Sequence, residues 1–339
     1  MVILFASMVE NTSVAKLYLH GVGHFHPDNI IDNVFLESLN IETNNEWIMD
    51  RVGIKERRTV LPLDYIRQTQ NQDPRGAIEA AVYSNAETGK RAAEKALKHA
   101  GISASQIGMV IAGGCSPDVV TPAEACTIAA LLDIEAPSLD LNSACSSFGA
   151  HMHFLSMMDA NALPEYVLVV IPENNTRTIN YTDRSTAVLW GDGTFACVIS
   201  TKNPSKTVIT HTTMQSNPKK WEAVQIPRLG HFQQDGRAVQ SFAIRQSVQC
   251  FKDLKQAQDQ DMYFIGHQAN LTMLQSVQSR CELSADKHLY NIDHFGNTGA
   301  AGAPTVLSQN WEKFHPGDKI GLVVVGAGLT WASMKIEFE

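Results

Sequence analysis

The chain has 339 residues, 44% hydrophobic and 18% charged, with 27 Lys and Arg against 35 Asp and Glu for a net charge of −8. That balance excludes a disordered polypeptide and a general nucleic-acid binder, which would show a basic patch or stripe. The length calls for one large or two fused domains. The opening MVILFASM is apolar, but it is short, lacks a basic n-region and soon meets Glu10, so it makes a poor signal peptide. No apolar run elsewhere approaches membrane-spanning length. Cys115, Cys126, Cys145, Cys197, Cys250 and Cys281 are scattered, with no CxxC pair and no metal-ligand spacing. These features read as a soluble cytoplasmic protein with no membrane insertion and no bound metal.

Residues 1–14 read as an extension before the first strand, Lys16–Gly23. Asn45–Asp50 is a short predicted helix. Residues 61–85 carry Pro62, Asp73-Pro74 and Gly76 and read as an inserted surface loop. Thr88–His99 is a predicted helix closed by Gly101, Gly108–Ala112 a strand, and Ala123–Leu132 a helix entered through Pro122. A short strand then ends near Leu141 and turns into a helix from about Cys145, with Phe148, Met152 and Leu155 as its apolar stripe. Tyr166–Ile171 and Thr194–Ser200 are further strands. Residues 201–235 are polar and turn-rich, a join between halves. Beyond them come helix Val239–Leu254, strand Met262–Ile265, helix Leu271–Arg280, a helix running from the Gly296–Gly302 turn to about Phe314, and strands Lys319–Val325 and Trp331–Phe338. Strand–helix alternation in both halves predicts α/β layers and allows a duplicated architecture.

Three residues stand out as chemistry. Cys145 sits at a strand-to-helix turn among small neighbours, where helix dipole and unpaired N–H groups favour a thiolate. The ordinary alternative is a packed cysteine behaving as a small hydrophobe. His267 lies at a strand end and Asn297 in a glycine-rich turn, places where α/β proteins put function. Each has a plain structural reading, as a buried or surface histidine and as a turn asparagine. Together they form a nucleophile, an imidazole and an amide, a set suited to acyl transfer.

Motifs along most of the length make the sequence resemble the ketoacyl synthase III branch of the thiolase-like condensing enzymes. Trp47-Ile48-Met49-Asp50-Arg51-Val52-Gly53-Ile54 with Glu56-Arg57-Arg58 matches a family stretch, and Ser143-Ala144-Cys145 matches its nucleophile turn. Thr182-Asp183-Arg184, Gly191-Asp192-Gly193, His267-Gln268-Ala269-Asn270, Gly296-Asn297-Thr298 and the closing Gly326–Trp331 follow in family order. The resemblance implies a thiolase-like fold of duplicated α/β layers (helix-sheet-helix-sheet-helix) in two pseudo-symmetric halves. Residues 1–200 would form the N-terminal half with Cys145 and the 61–85 insertion, and 201–339 the C-terminal half with His267 and Asn297.

It also implies a mechanism. Cys145 takes an acyl group from acyl-CoA, with an oxyanion held by backbone N–H groups of Cys145 and Ala327. A malonyl thioester, malonyl-ACP or malonyl-CoA, loses carbon dioxide while His267 and Asn297 stabilise the enolate. No cofactor is then needed; CoA and acyl carrier protein thioesters are substrates. Trp47 and Arg184 match a pair that sandwiches the adenine of CoA, and Arg51 an arginine near its phosphates. The family is homodimeric, and Thr121 falls where an aromatic residue often crosses to the partner's acyl pocket.

Departures from the pattern are Thr121, Thr272 in place of a carrier-docking arginine, the 61–85 insertion and the serine-rich nucleophile context. They point to changed substrate contacts and a specialised relative. A plain acyltransferase to an alcohol or amine stays the alternative. The HQAN and GDG contexts speak against a cysteine hydrolase with the same Cys, His, Asn order, and retention of all three residues speaks against a non-catalytic partner subunit.

Overall fold

The computed structural model describes residues 15–255, 259 and 261–339, so the predicted N-terminal extension lies outside the described residues. Ten strands form the main sheet: β1 Leu17–Phe25, β2 Met109–Ala112, β3 Ser138–Asp140, β4 Val167–Glu173, β5 Gly193–Ser200, β6 Thr207–Ser216, β7 Tyr263–Gly266, β8 His288–Leu289, β9 Lys319–Gly326 and β10 Thr330–Phe338. Their spatial order is β8-β7-β9-β10-β6-β1-β5-β4-β2-β3. Each set of five strands, numbered from its own start, therefore reads 3-2-4-5-1 outward to inward. Pairing senses repeat as well. β2 is parallel to β3 and β4, and β7 is parallel to β8 and β9, while the other contacts are antiparallel. The halves meet where β1 and β6 run antiparallel through Leu17–Ile209 and Tyr18–Val208.

Layering follows from which faces are apolar. Helix Ser147–Met157 is buried nearly all round and packs on β6, β9 and β10 as well as on β1 and β4. Its counterpart in the second half, Gly302–Gln309, packs on β1, β5, β7 and β9. These two helices fill the space between the half-sheets, so both read as apolar rather than amphipathic. Helix Asn85–Ala100 covers the outer face of the first half, and Gly236–Leu254 that of the second. The former begins with a capping box between Ser84 and Glu87 and ends at Gly101 in the left-handed conformation. The result is the thiolase-like arrangement of helix and sheet layers.

Two stretches differ from their sequence reading. Residues 61–85 form helices Leu63–Thr69 and Pro74–Ala80, and Leu61, Ile66 and Ala77 are fully buried. The Pro and Asp residues read as loop signals are helix starts. Pro62 occupies one N-cap, and the Asp73 carboxylate caps the other through the Arg75 N–H. Residues 201–235 contain the ten-residue strand β6, whose polar face (Thr210, His211, Thr213) disguised it. No helix among the described residues is long and apolar enough to cross a membrane.

Candidate active site

Cys145 sits in a single 3-10 turn, Ala144–Ser146, ahead of the α-helix that starts at Ser147, two residues later than predicted. Ala144 takes φ +46°, a left-handed conformation that sharpens the turn. The Asn142 side chain accepts the Ala144 N–H at 2.7 Å, and the Ser147 hydroxyl accepts the Ser143 N–H at 3.0 Å. His151 holds the helix against the preceding strand through Nε2 and the Leu141 carbonyl, 2.6 Å apart. Burial pushes His151 down to about 4, so the neutral ring donates that bond.

The end of β9 comes up against this turn. A Cβ on Gly326 would stand 2.7 Å from the Ser146 nitrogen, so only glycine permits the approach. Thr330 closes the gap. Its hydroxyl lies 2.5 Å from that of Ser146 and donates to the Ala327 carbonyl at 3.0 Å. Ala327 is thereby held beside Cys145.

His267 follows β7 and is 6% exposed. Burial lowers it to about 4, so it is a neutral imidazole, and its Nδ1 has no hydrogen-bond partner among the described residues. Gln268 braces the turn by donating to the Gly266 carbonyl and accepting the Asn291 N–H. Asn270 caps the next helix through the Met273 N–H.

Asn297 is held by its backbone, which bonds to Leu189 and Gly191. Its side-chain oxygen accepts the Gly299 N–H at 3.0 Å, which leaves the amide NH2 as a donor toward the cavity. Gly296, at φ +67°, packs where a Cβ would lie 2.6 Å from Arg57. Arg57 is fully buried and donates to the Val188 carbonyl and to Asn33. Asp192 is also fully buried and collects the N–H groups of Val60 and Thr176. These two explain why their motifs matter locally: both are struts beneath the Asn297 turn.

Cys145, His267, Asn297 and Ala327 line one cavity of about 330 Å³. Arg51 lines it too. Trp47, on the same helix, has two guanidinium groups over its ring, Arg184 5.1 Å and Arg51 5.8 Å from the ring centroid. Arg184 is itself tied to Glu42. Thr272 bonds to the Arg51 carbonyl. Thr121 is different: it is exposed and does not line the cavity of its own chain.

Two residues escaped the sequence reading. Cys115 follows β2, and its sulfur is 3.5 Å from that of Cys145. Glu173, fully buried at the end of β4, accepts the Cys115 N–H at 2.9 Å and the Ala300 N–H at 2.7 Å. Burial raises its carboxyl to about 7. Their one sequence signal is position, since both stand at the C-terminal ends of parallel neighbours.

Comparison with known proteins identifies the family. Models of 3-oxoacyl-[acyl-carrier-protein] synthase III match residues 139–218, and of its C-terminal part residues 254–338. The beta-ketoacyl-[acyl-carrier-protein] synthase III of Staphylococcus haemolyticus is 32% identical over 94% of this chain and 98% of its own length. This chain belongs to the ketoacyl synthase III family. The Clostridioides difficile enzyme of the same name is 30% identical over 95% of this chain and 98% of its own. The crystal structure of the Aquifex aeolicus 3-oxoacyl-[acyl-carrier-protein] synthase III superposes with a TM-score of 0.83 at 25% identity, covering 95% of this chain and 100% of that one. The chain is thus a condensing enzyme of the thiolase-like family, an acyltransferase of the ketoacyl synthase III type.

Proposed function

We propose that this ketoacyl synthase III relative joins a Cys145-bound acyl group to a malonyl thioester by decarboxylative Claisen condensation. The observation that carries the reading is the convergence of Cys145, His267 and Asn297 on one cavity. The Cys145 sulfur attacks the carbonyl of an acyl-CoA, and the CoA thiol leaves. Backbone N–H groups of Cys145 and Ala327 receive the oxyanion, where fixed dipoles are most effective. A malonyl thioester then takes the vacated site. Loss of carbon dioxide leaves an enolate whose oxygen accepts hydrogen bonds from neutral His267 and from the Asn297 NH2. The enolate carbon attacks the acyl-cysteine, the β-ketoacyl thioester forms, and the Cys145 thiolate is expelled. None of these steps calls for a metal or redox group.

For substrate delivery, Arg51, Trp47 and Arg184 offer a cationic and aromatic mouth suited to the adenine and phosphates of CoA. Acyl carrier protein is the proposed carrier of the extender. Thr272 lacks the charge to grip an acidic carrier there, so docking would depend on other contacts. The proposed functional unit is a homodimer. The edge strand β3 and the exposed Val119 and Val120 beside Thr121 support it. The altered substrate contacts favour a specialised product over the starter step of fatty acid synthesis.

The test is incubation with radiolabelled malonyl-ACP or malonyl-CoA and a panel of acyl-CoA primers, scoring carbon dioxide release and product mass. Expected are a β-ketoacyl product and, without extender, a mass gain of one acyl unit that Cys145→Ala abolishes. Acyl transfer to an alcohol or amine with no carbon dioxide release would overturn the reading.

A further inference from the structure

The cavity's nucleophile has a second thiol beside it. The Cys115 and Cys145 sulfurs are 3.5 Å apart and both are free thiols. A disulfide bond is about 2.05 Å long, so the two sulfurs need to close by about 1.5 Å. Cys145 lines the cavity, whereas Cys115 is half-buried beside it and is not among the residues of the cavity wall. The acyl-transfer reaction uses only the first of them.

A proton acceptor completes the group. Glu173 accepts the Cys115 backbone N–H at 2.9 Å, which sets its carboxyl beside that residue. Its carboxyl, raised to about 7, exchanges protons near neutrality. The Cys115 thiol is held well above the ordinary thiol range by its hydrogen bond to Cys145, by burial and by Glu173. It therefore stays protonated and passive while Cys145 is reduced. Conversion of Cys145 to a sulfenic acid removes the thiol partner whose hydrogen bond holds Cys115 protonated.

We propose that Cys115 is a resolving thiol for Cys145, so that a hydroperoxide entering the cavity produces a reversible Cys115–Cys145 disulfide. In the first step the Cys145 sulfur attacks the peroxide O–O bond. Sulfur is oxidised by two electrons to the sulfenic acid, and the peroxide is reduced to an alcohol or, from hydrogen peroxide, to water. In the second, Glu173 takes the Cys115 proton and the Cys115 sulfur attacks the Cys145 sulfur. The S–S bond forms, the S–O bond breaks, and hydroxide leaves as water with the proton from Glu173. Two thiols and one hydroperoxide thus become one disulfide, one alcohol or water, and one further water. The disulfide shields the nucleophile from sulfinic acid, which simple thiols do not reverse. An acylated Cys145 cannot take part, so acyl donor competes with peroxide.

The experiment needs no substrate. Reduced, desalted protein is treated with a few equivalents of hydrogen peroxide, alkylated, and cut after glutamate. Cleavage after Glu124 and Glu135 puts Cys115, Cys126 and Cys145 on separate peptides. The expected result is an intact mass lower by about 2 Da and a Cys115–Cys145 cross-linked peptide that dithiothreitol dissolves. Cys115→Ala is expected to progress to a species about 32 Da heavier that dithiothreitol leaves unchanged. Native protein that reaches the sulfinic form with no cross-linked species, or a cross-link joining other cysteines, overturns the proposal. Should Cys115→Ala fail to fold, the peptide map of the native protein decides alone.

Discussion

The hydroxyls of Ser146 and Thr330 lie 2.5 Å apart, one in the nucleophile turn and the other just after the closing glycine turn. Ser143 joins the same cluster, with its hydroxyl 2.8 Å from that of Ser146. The serine-rich context of Cys145 therefore ties together the two turns that would supply the oxyanion donors. A hydrogen bond of this type contributes about 1 kcal/mol, or roughly fivefold in a rate that depends on the geometry it holds. Thr330→Val is expected to slow Cys145 acylation by about that factor, and Thr330→Ser to retain the native rate. The check is the time course of the acyl mass shift. Equal rates in all three proteins would show that the tie does not shape the donor pair.

In the proposed reaction His267 and Asn297 serve decarboxylation more than acylation. His267→Ala and Asn297→Ala are expected to leave the acyl mass shift largely intact while carbon dioxide release falls by about 10²–10³, the usual loss for one charge-stabilising donor. The opposite split, with acylation lost and decarboxylation kept, would reverse the roles.

The pH dependence follows from the same histidine. Burial holds His267 at about 4, against an ordinary histidine value of 6.5. Its neutral form persists from alkaline pH down through 6.5 and is lost only as pH falls toward 4. Decarboxylation should therefore show no break at pH 6.5 that His267 controls. A limb at 6.5 that vanishes in His267→Gln would mean the ring titrates normally and the site is wetter than the structure shows.

Arg57 makes a stability prediction. Its side chain is fully buried, lowered to about 9 by burial, and donates to the Val188 carbonyl at 3.0 Å and the Asn33 amide oxygen at 2.7 Å. It remains charged at neutral pH. Arg57→Met would leave both acceptors buried and unpaired, a cost of about 3 kcal/mol. Urea unfolding measures this directly, and an unchanged midpoint would remove Arg57 from the support of the Asn297 turn.

Much of this was legible in the sequence, for physical reasons that differ by residue. Cys145, His267 and Asn297 stand in local motifs, and strand–helix alternation conveyed the layered fold. β6 was hidden because its half-exposed face is threonine and histidine, which read as polar loop although threonine suits a strand. Residues 61–85 were misread because caps and turns use the same residue types. The contact of Cys115 with Cys145 is purely tertiary. It depends on β2 and the nucleophile turn meeting in three dimensions, and no spacing in the chain encodes it.

Thr121 bears on acyl chain length. It projects from a segment whose base is firmly fixed. Arg177 pairs with Asp118, the buried Glu124 carboxyl accepts from Asn85 at 2.7 Å, and the Asp140 carboxylate caps the helix that follows. The residue itself is exposed and away from its own chain's cavity, so any part it plays in an acyl pocket is in a second copy of the chain. In the proposed dimer, a threonine where the family resemblance implies an aromatic ring would remove several carbons from that pocket's wall. Each additional buried methylene of substrate is worth about 0.8 kcal/mol, so a few carbons shift preference by one to two orders of magnitude. The expected outcome in a series of acyl-CoA primers of increasing length is a preference for medium or long chains, moved shorter by Thr121→Phe. The anchored base makes the substitution a change of wall rather than of fold, which circular dichroism can check. Light scattering on the same samples should report a dimer, because a monomer has no partner pocket for residue 121 to enter. A native preference for acetyl-CoA that Thr121→Phe leaves unchanged would show that another residue sets the pocket depth.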